Sequence, residues 1–177
     1  RLLYRNLGDG RFQNISADSG PAFERMYSSR GCAFGDFNND GRVDILIMNM
    51  NEPPSLWRNE SQVSNRAILV KLTGTRTNRS AIGARVRVVT GKHAQIGEVH
   101  SGDSVMSMSD LRLHFGLGSA EKVDLLEVRW PVTGAVESFQ NVAADQIVFI
   151  QEGSGIVRTE KFEALKARSA HTRTKKR

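Results

Sequence analysis

Seven short apolar runs between residues 67 and 152 constrain this chain more than anything else in it. They are AILVKL (67–72), ARVRVV (84–89), AQIGEVHS (94–101), LRLHFGL (111–117), VDLLEVRW (123–130), AVESFQNV (135–142) and QIVFIQE (146–152). Each is rich in Val, Ile, Leu or Phe, and Gly, Asn, Asp or Pro separates one from the next. In ARVRVV the valines fall on one face and the arginines on the other, the period-two signature of a half-buried strand. Runs this short and this often punctuated predict a small antiparallel β-sandwich or barrel. TEKFEALKARS (159–169) is the one stretch that reads as a helix.

Ahead of these runs the texture differs. LYRN at 3–6 returns as LWRN at 56–59, a spacing of 53 residues, with the Gly-rich turn LGDGRF following the first copy. A period near ~50 residues is that of propeller blades and similar repeats. Repeats of this kind bury their faces only against neighbours, so further blades are expected ahead of Arg1. The chain opens on Arg1 rather than Met, as a fragment or a processed product would.

Between the two copies lies GDFNNDGRVD (35–44), three aspartates and two asparagines around one turn glycine, running straight into the apolar Ile45, Leu46 and Ile47. From Asp36 the pattern is D-x-N-x-D-G-x-x-D. Side-chain oxygens at Asp36, Asn38, Asp40 and Asp44 can converge on one cation if the chain curls, and the carbonyl of Arg42 can add another. Gly41 permits the sharp turn. A flexible ring of hard oxygens suits Ca²⁺, which takes about 6–8 ligands, better than Mg²⁺, which demands a tighter octahedron. The start of the loop matches an EF-hand, but position 12 is Ile47 rather than a bidentate Glu and the flanks read as strands. The competing reading is a plain Asx-rich turn. Against it, three carboxylates this close repel one another unless a cation joins them.

Charge and composition exclude other classes. No apolar run approaches the ~18 residues of a membrane-spanning helix. Cys32 is the only cysteine, so no internal disulfide forms, and it is expected to pack as a small apolar residue. The net charge of +6 lies wholly in residues 154–177, while residues 1–153 carry 17 basic and 17 acidic side chains. This segment is expected to be a solvated basic tail, capable of weak, salt-dependent contact with polyanions.

Catalytic signatures are weak. ADSGP (17–21) reads as the end of a repeat rather than as a nucleophile site around Ser19. His114 is expected to be a packed, hydrogen-bonded histidine and His93 a turn residue. His100 and Asp103 join no nucleophile–base–orienter set. Trp57 and Trp130 could form a sugar platform, but packing is the expected role. Asn14, Asn59 and Asn78 begin N-x-S sequons.

GCAFGDFNNDGRVDILIMN resembles the FG-GAP/VCBS repeat of integrin-like β-propellers, with LYRNLGDGRFQNISADSG and LWRNES as outer parts of such repeats. NRSAIGARVRV (78–88), LRLHFGLG (111–118), LEVRWP (126–131) and QIVFIQEG (146–153) resemble the ASPIC/UnbV domain. The resemblance implies a calcium loop with ligands Asp36, Asn38, Asp40, Arg42 (carbonyl) and Asp44. In GDSVMSMSD (102–110), Ser104, Val105 and Met108 depart from the family's usual Gly, Tyr and Gln. The expectation is an all-β chain. Residues 1–64 would be the C-terminal part of a propeller-type repeat region, 65–153 a β domain and 154–177 the tail. The expected function is an extracellular, periplasmic or cell-surface module for binding or adhesion. It would be non-catalytic, with structural Ca²⁺ and a protein or glycan ligand. The alternative is a carbohydrate-active enzyme or its accessory sugar-binding module.

Overall fold

The computed structural model describes residues 2–62 and 64–163, and it is all β apart from two single 3₁₀ turns, Ser16–Asp18 and Pro21–Phe23. The chain does not divide at one point. One unit comprises Arg1–Gly35, Asp44–Glu60 and Ser101–Asp110; the other comprises Asp36–Val43, Ser61–His100 and Leu111–Arg177.

In the first unit, β1 (Tyr4–Asn6) and β2 (Phe12–Asn14) form a two-stranded hairpin. Strands β3 (Ser29–Gly35), β4 (Asp44–Asn49) and β5 (Ser55–Trp57) form an antiparallel sheet in that order. The repeated tetrapeptides thus fall on β1 and β5. Trp57 packs its ring on Phe23, with centroids 4.7 Å apart, as the packing reading expects. Cys32 on β3 is only half buried, less enclosed than its GCAF setting implies. The segment 101–110 runs along the free edge of β3. Ser104 Oγ and Ser109 Oγ accept the N–H groups of Cys32 (3.4 Å) and Phe34 (3.1 Å), and the Asp110 N–H donates to Phe34 O at 2.8 Å.

The second unit holds the seven anticipated strands and one more. They are β6 (Arg66–Thr73), β7 (Arg85–Thr90), β8 (His93–Glu98), β9 (Leu113–Gly118), β10 (Lys122–Arg129), β11 (Val136–Ala143), β12 (Gln146–Gln151) and β13 (Gly155–Lys161). Two four-stranded sheets, β11-β10-β7-β8 and β13-β12-β6-β9, share one core. Val86, Val88, Leu126 and Val128 from the first meet Ile68, Val70, Leu72, Phe115, Val148 and Ile150 from the second. Each such side chain contributes about 1.5–3 kcal/mol by leaving water.

Two expectations need correction. The sheets are not wholly antiparallel, because β6 pairs parallel with β12, from Ile68 against Gln146 to Thr73 against Gln151. Buried strands at the centre of a sheet read as near-continuous apolar runs, and both AILVKL and QIVFIQE do. The fold also does not stop at Ser154: Gly155–Lys161 pairs antiparallel with β12, so residues 159–161 are strand rather than the start of a helix. An edge strand holds on through its backbone and tolerates charged side chains, which is why its composition read as a tail. The rest of the expected tail and helix, 164–177, lies outside the described residues.

Candidate metal centre

The loop Asp36–Val43 follows β3 and belongs to the second unit. Asp36 organises it. Its buried carboxylate accepts the Asp40 N–H on Oδ1 at 3.1 Å and the Gly41 N–H on Oδ2 at 2.7 Å, folding the loop back on itself. Asp40 sits at the inside of that turn. Its Oδ2 accepts from Asn38 Nδ2 at 2.7 Å and from Arg42 Nη2 at 2.5 Å, and its Oδ1 from the Arg42 N–H at 3.0 Å. Gly41 has φ +85°, and a β-carbon there would lie 2.5 Å from Phe162 Cδ2, so both backbone and space require glycine.

Other elements of the same unit clamp the loop from outside. On β9, His114 Nε2 lies 2.8 Å from Gly41 O and donates to it when it carries the proton. His114 stands opposite Leu69 of β6, on the face of that sheet turned away from the shared core. Arg112 donates through Nη1 to Asn39 Oδ1 and through Nη2 to Asp36 O, both at 2.6 Å. Beyond β13 the Phe162 ring closes on Gly41, and the Glu163 N–H donates to Asn39 O at 2.7 Å. His114 thus has the packed, hydrogen-bonded role read from the sequence. Arg112, Phe162 and Glu163 carry no sequence signal for theirs, because their contacts run to residues far away along the chain.

Hydrogen bonds therefore join Asp36, Asn38, Asp40 and Arg42 of the anticipated ligand set. Asp44 opens β4 in the first unit, where its buried carboxylate accepts the Asn59 N–H at 2.7 Å. Among the described residues no three His, Cys, Asp or Glu side chains gather as a metal cluster. Two buried atoms decide what the loop is suited to. Asn38 Oδ1 is an acceptor with no donor, and Arg42 Nε a donor with no acceptor. A buried polar atom left unmatched costs about 1–3 kcal/mol. A hard cation at the loop would satisfy the amide oxygen beside the Asp36 and Asp40 carboxylates. It would also release Arg42, whose guanidinium now neutralises Asp40. The oxygen donors fit such an ion.

Two family models match separate parts of the chain. Residues 2–47 match the family model for an FG-GAP-like repeat, and residues 74–157 that for ASPIC and UnbV. Cartilage acidic protein 1 of Mus musculus is 28% identical over 171 residues, which is 92% of this chain and 26% of that protein. The Homo sapiens protein of the same name is 29% identical over 156 residues, 86% of this chain and 23% of its own length. The Xenopus tropicalis protein is 43% identical over 57 residues, 32% of this chain and 8% of its own. The chain thus spans about a quarter of the mouse and human relatives. Among the described residues no helix is long and apolar enough to cross a membrane.

Proposed function

We propose that this chain, which carries an FG-GAP-like repeat followed by an ASPIC/UnbV domain, is a non-catalytic binding or adhesion module of an extracellular or cell-surface protein, with Ca²⁺ as a structural ion. The observation that carries the calcium reading is Asn38 Oδ1, a buried acceptor without a donor beside two buried or half-buried carboxylates. Asp36, Asn38 and Asp40 would hold the ion through side-chain oxygens and Arg42 through its carbonyl, and the spacing adds Asp44. Bound there, the ion supplies charge neutralisation and fixes the turn. The shared name of the relatives, cartilage acidic protein 1, supports the extracellular and non-enzymatic part of the reading. The ligand of such a module would be a matrix protein or a glycan.

The test is thermal melting of the whole chain in millimolar calcium and in chelator. Extracellular-type sites bind at about 10⁻⁴–10⁻³ M. At roughly 100 times the dissociation constant, linkage adds about 2.7 kcal/mol of stability. Melting should rise with calcium, and Asp40→Ala should abolish the rise. Superimposable curves with and without calcium would reduce the loop to an Asx-rich turn closed by Arg42.

A further inference from the structure

The outer face of the β11-β10-β7-β8 sheet sets two positive charges directly opposite each other. Arg85 on β7 and Arg129 on β10 are register partners. Like charges in that relation destabilise a sheet unless something offsets them. Arg85 is offset by Glu98, whose Oε2 lies 2.7 Å from its Nε, and in the next cross-strand pair Arg87 is matched by Glu127. Arg129 has no such partner among the described residues.

Both arginines line a cavity of about 380 Å³, together with Gly83, Trp130 and the turn residues Pro131, Val132 and Gly134. That turn is strained. Val132 has φ +63°, an outlier for a β-branched residue, and is 95% exposed, so no packing of its side chain explains the conformation. The Thr133 N–H donates to Pro131 O at 2.6 Å and closes the turn around it. Backbone strain of this kind concentrates at ligand clamps. Trp130, by contrast, is fixed. It is 1% exposed, and its Nε1 donates to Glu137 Oε1 at 2.7 Å, which also accepts the Gly153 N–H at 2.8 Å.

We propose that this cavity binds an acidic sugar residue, with the sugar's carboxylate held by Arg129 and Arg85 beside it. A guanidinium fork matches a carboxylate through two parallel hydrogen bonds. The space exceeds what a bare anion fills, since a water molecule takes about 30 Å³ of liquid. Pro131 and Val132 are the only aliphatic side chains on the wall, and the ring of Trp130 is buried, so a hydroxylated ligand fits better than an apolar one. None of the lining residues belongs to Asp36–Val43, so the site does not depend on calcium.

The test is titration of the isotopically labelled full chain with glucuronate, followed by amide chemical shifts, with glucose and N-acetylglutamate as parallel probes. Saturable shifts at Gly83, Val132 and Gly134 are expected from glucuronate, with a dissociation constant on the order of 1 mM. Arg129→Gln should weaken binding at least about tenfold, and Arg129→Lys, which keeps the charge but loses the fork, by less. Arg87→Gln should change nothing. Four results would overturn the assignment: no saturable shift, an equal response to glucose, an equal response to N-acetylglutamate, or undiminished binding by Arg129→Gln.

Discussion

At Arg42 the chain places a guanidinium inside a loop whose other polar side chains are oxygen donors. Its side chain is 15% exposed, Nη2 pairs with Asp40, and Nε has no acceptor. If calcium binds this loop, Arg42 competes with it for Asp40. Arg42→Gln should therefore tighten calcium binding roughly tenfold, equivalent to about 1.4 kcal/mol, as titration calorimetry would measure. Unchanged affinity would show that Arg42 swings clear at no cost. Asp36 has a separate, metal-independent role. Asp36→Ala strands two peptide N–H groups and should lower stability by about 1–3 kcal/mol in chemical denaturation. In Glu152 a single oxygen serves a turn in the same manner. Its Oε2 accepts the N–H groups of Thr75, Arg76 and Thr77 at 2.8–2.9 Å and the Thr77 hydroxyl at 3.1 Å. Burial pushes this carboxyl up, but the donors together outweigh it and hold it below its ordinary value of 4.5. A depressed folded-state value means that the contribution is complete above 4.5 and disappears as pH falls through the lowered value. The melting temperatures of the native chain and Glu152→Gln should therefore differ at neutral pH and converge in acid. The oxygens of the Asp36 loop were legible because their spacing is local. The capping by Glu152 was not, since nothing near residue 152 in sequence announces a turn at 75–77.

The strands of the second unit that alternate in polarity, or that run apolar without a break, were legible, because all but β8 bury at least one face in the sandwich; in β8 no residue is buried and Ile96 is 71% exposed. Strand β13 was not: most of it is exposed, and it attaches through backbone pairing to β12 and through Arg158, whose guanidinium lies 3.9 Å from the Phe149 ring centroid. Truncation after Ser154 should cost roughly 3 kcal/mol, a few net hydrogen bonds of about 1 kcal/mol each. It would also remove Phe162 from its place against Gly41. Guanidinium titration of the two chains measures this, and equal midpoints would mean that β13 is no part of the cooperative fold. The edge contact of residues 104–110 with β3 was equally hidden, because serine hydroxyls answering backbone N–H groups leave no periodic pattern. Gly31 makes that contact feasible: a β-carbon there would sit 2.3 Å from both Val105 O and Ser107 Oγ. Gly31→Val should release the segment and increase amide hydrogen exchange at Cys32 and Phe34.

Over the whole molecule the charge is divided unevenly. Residues 164–177 contain six basic and no acidic side chains, so a chain ending at Glu163 would be neutral. That truncation should sharply reduce retention on a heparin column at low salt, and salt should erase the difference. Undiminished retention would locate the polyanion contact on the folded part, where Arg85 and Arg129 are the first residues to mutate. The parallel pair β6–β12 bears on a different property, the time the chain takes to fold. Ile68 meets Gln146 only after every intervening strand has been laid out, whereas β7–β8 and β10–β11 are adjacent hairpins. Pairing between such distant segments must close a long loop before it gains contacts, and topologies of this kind fold in milliseconds to seconds rather than microseconds. The hairpins can form early and wait. The slow step of refolding is then the arrival of QIVFIQE beside AILVKL, and until it arrives two of the most apolar segments of the chain stand with open edges.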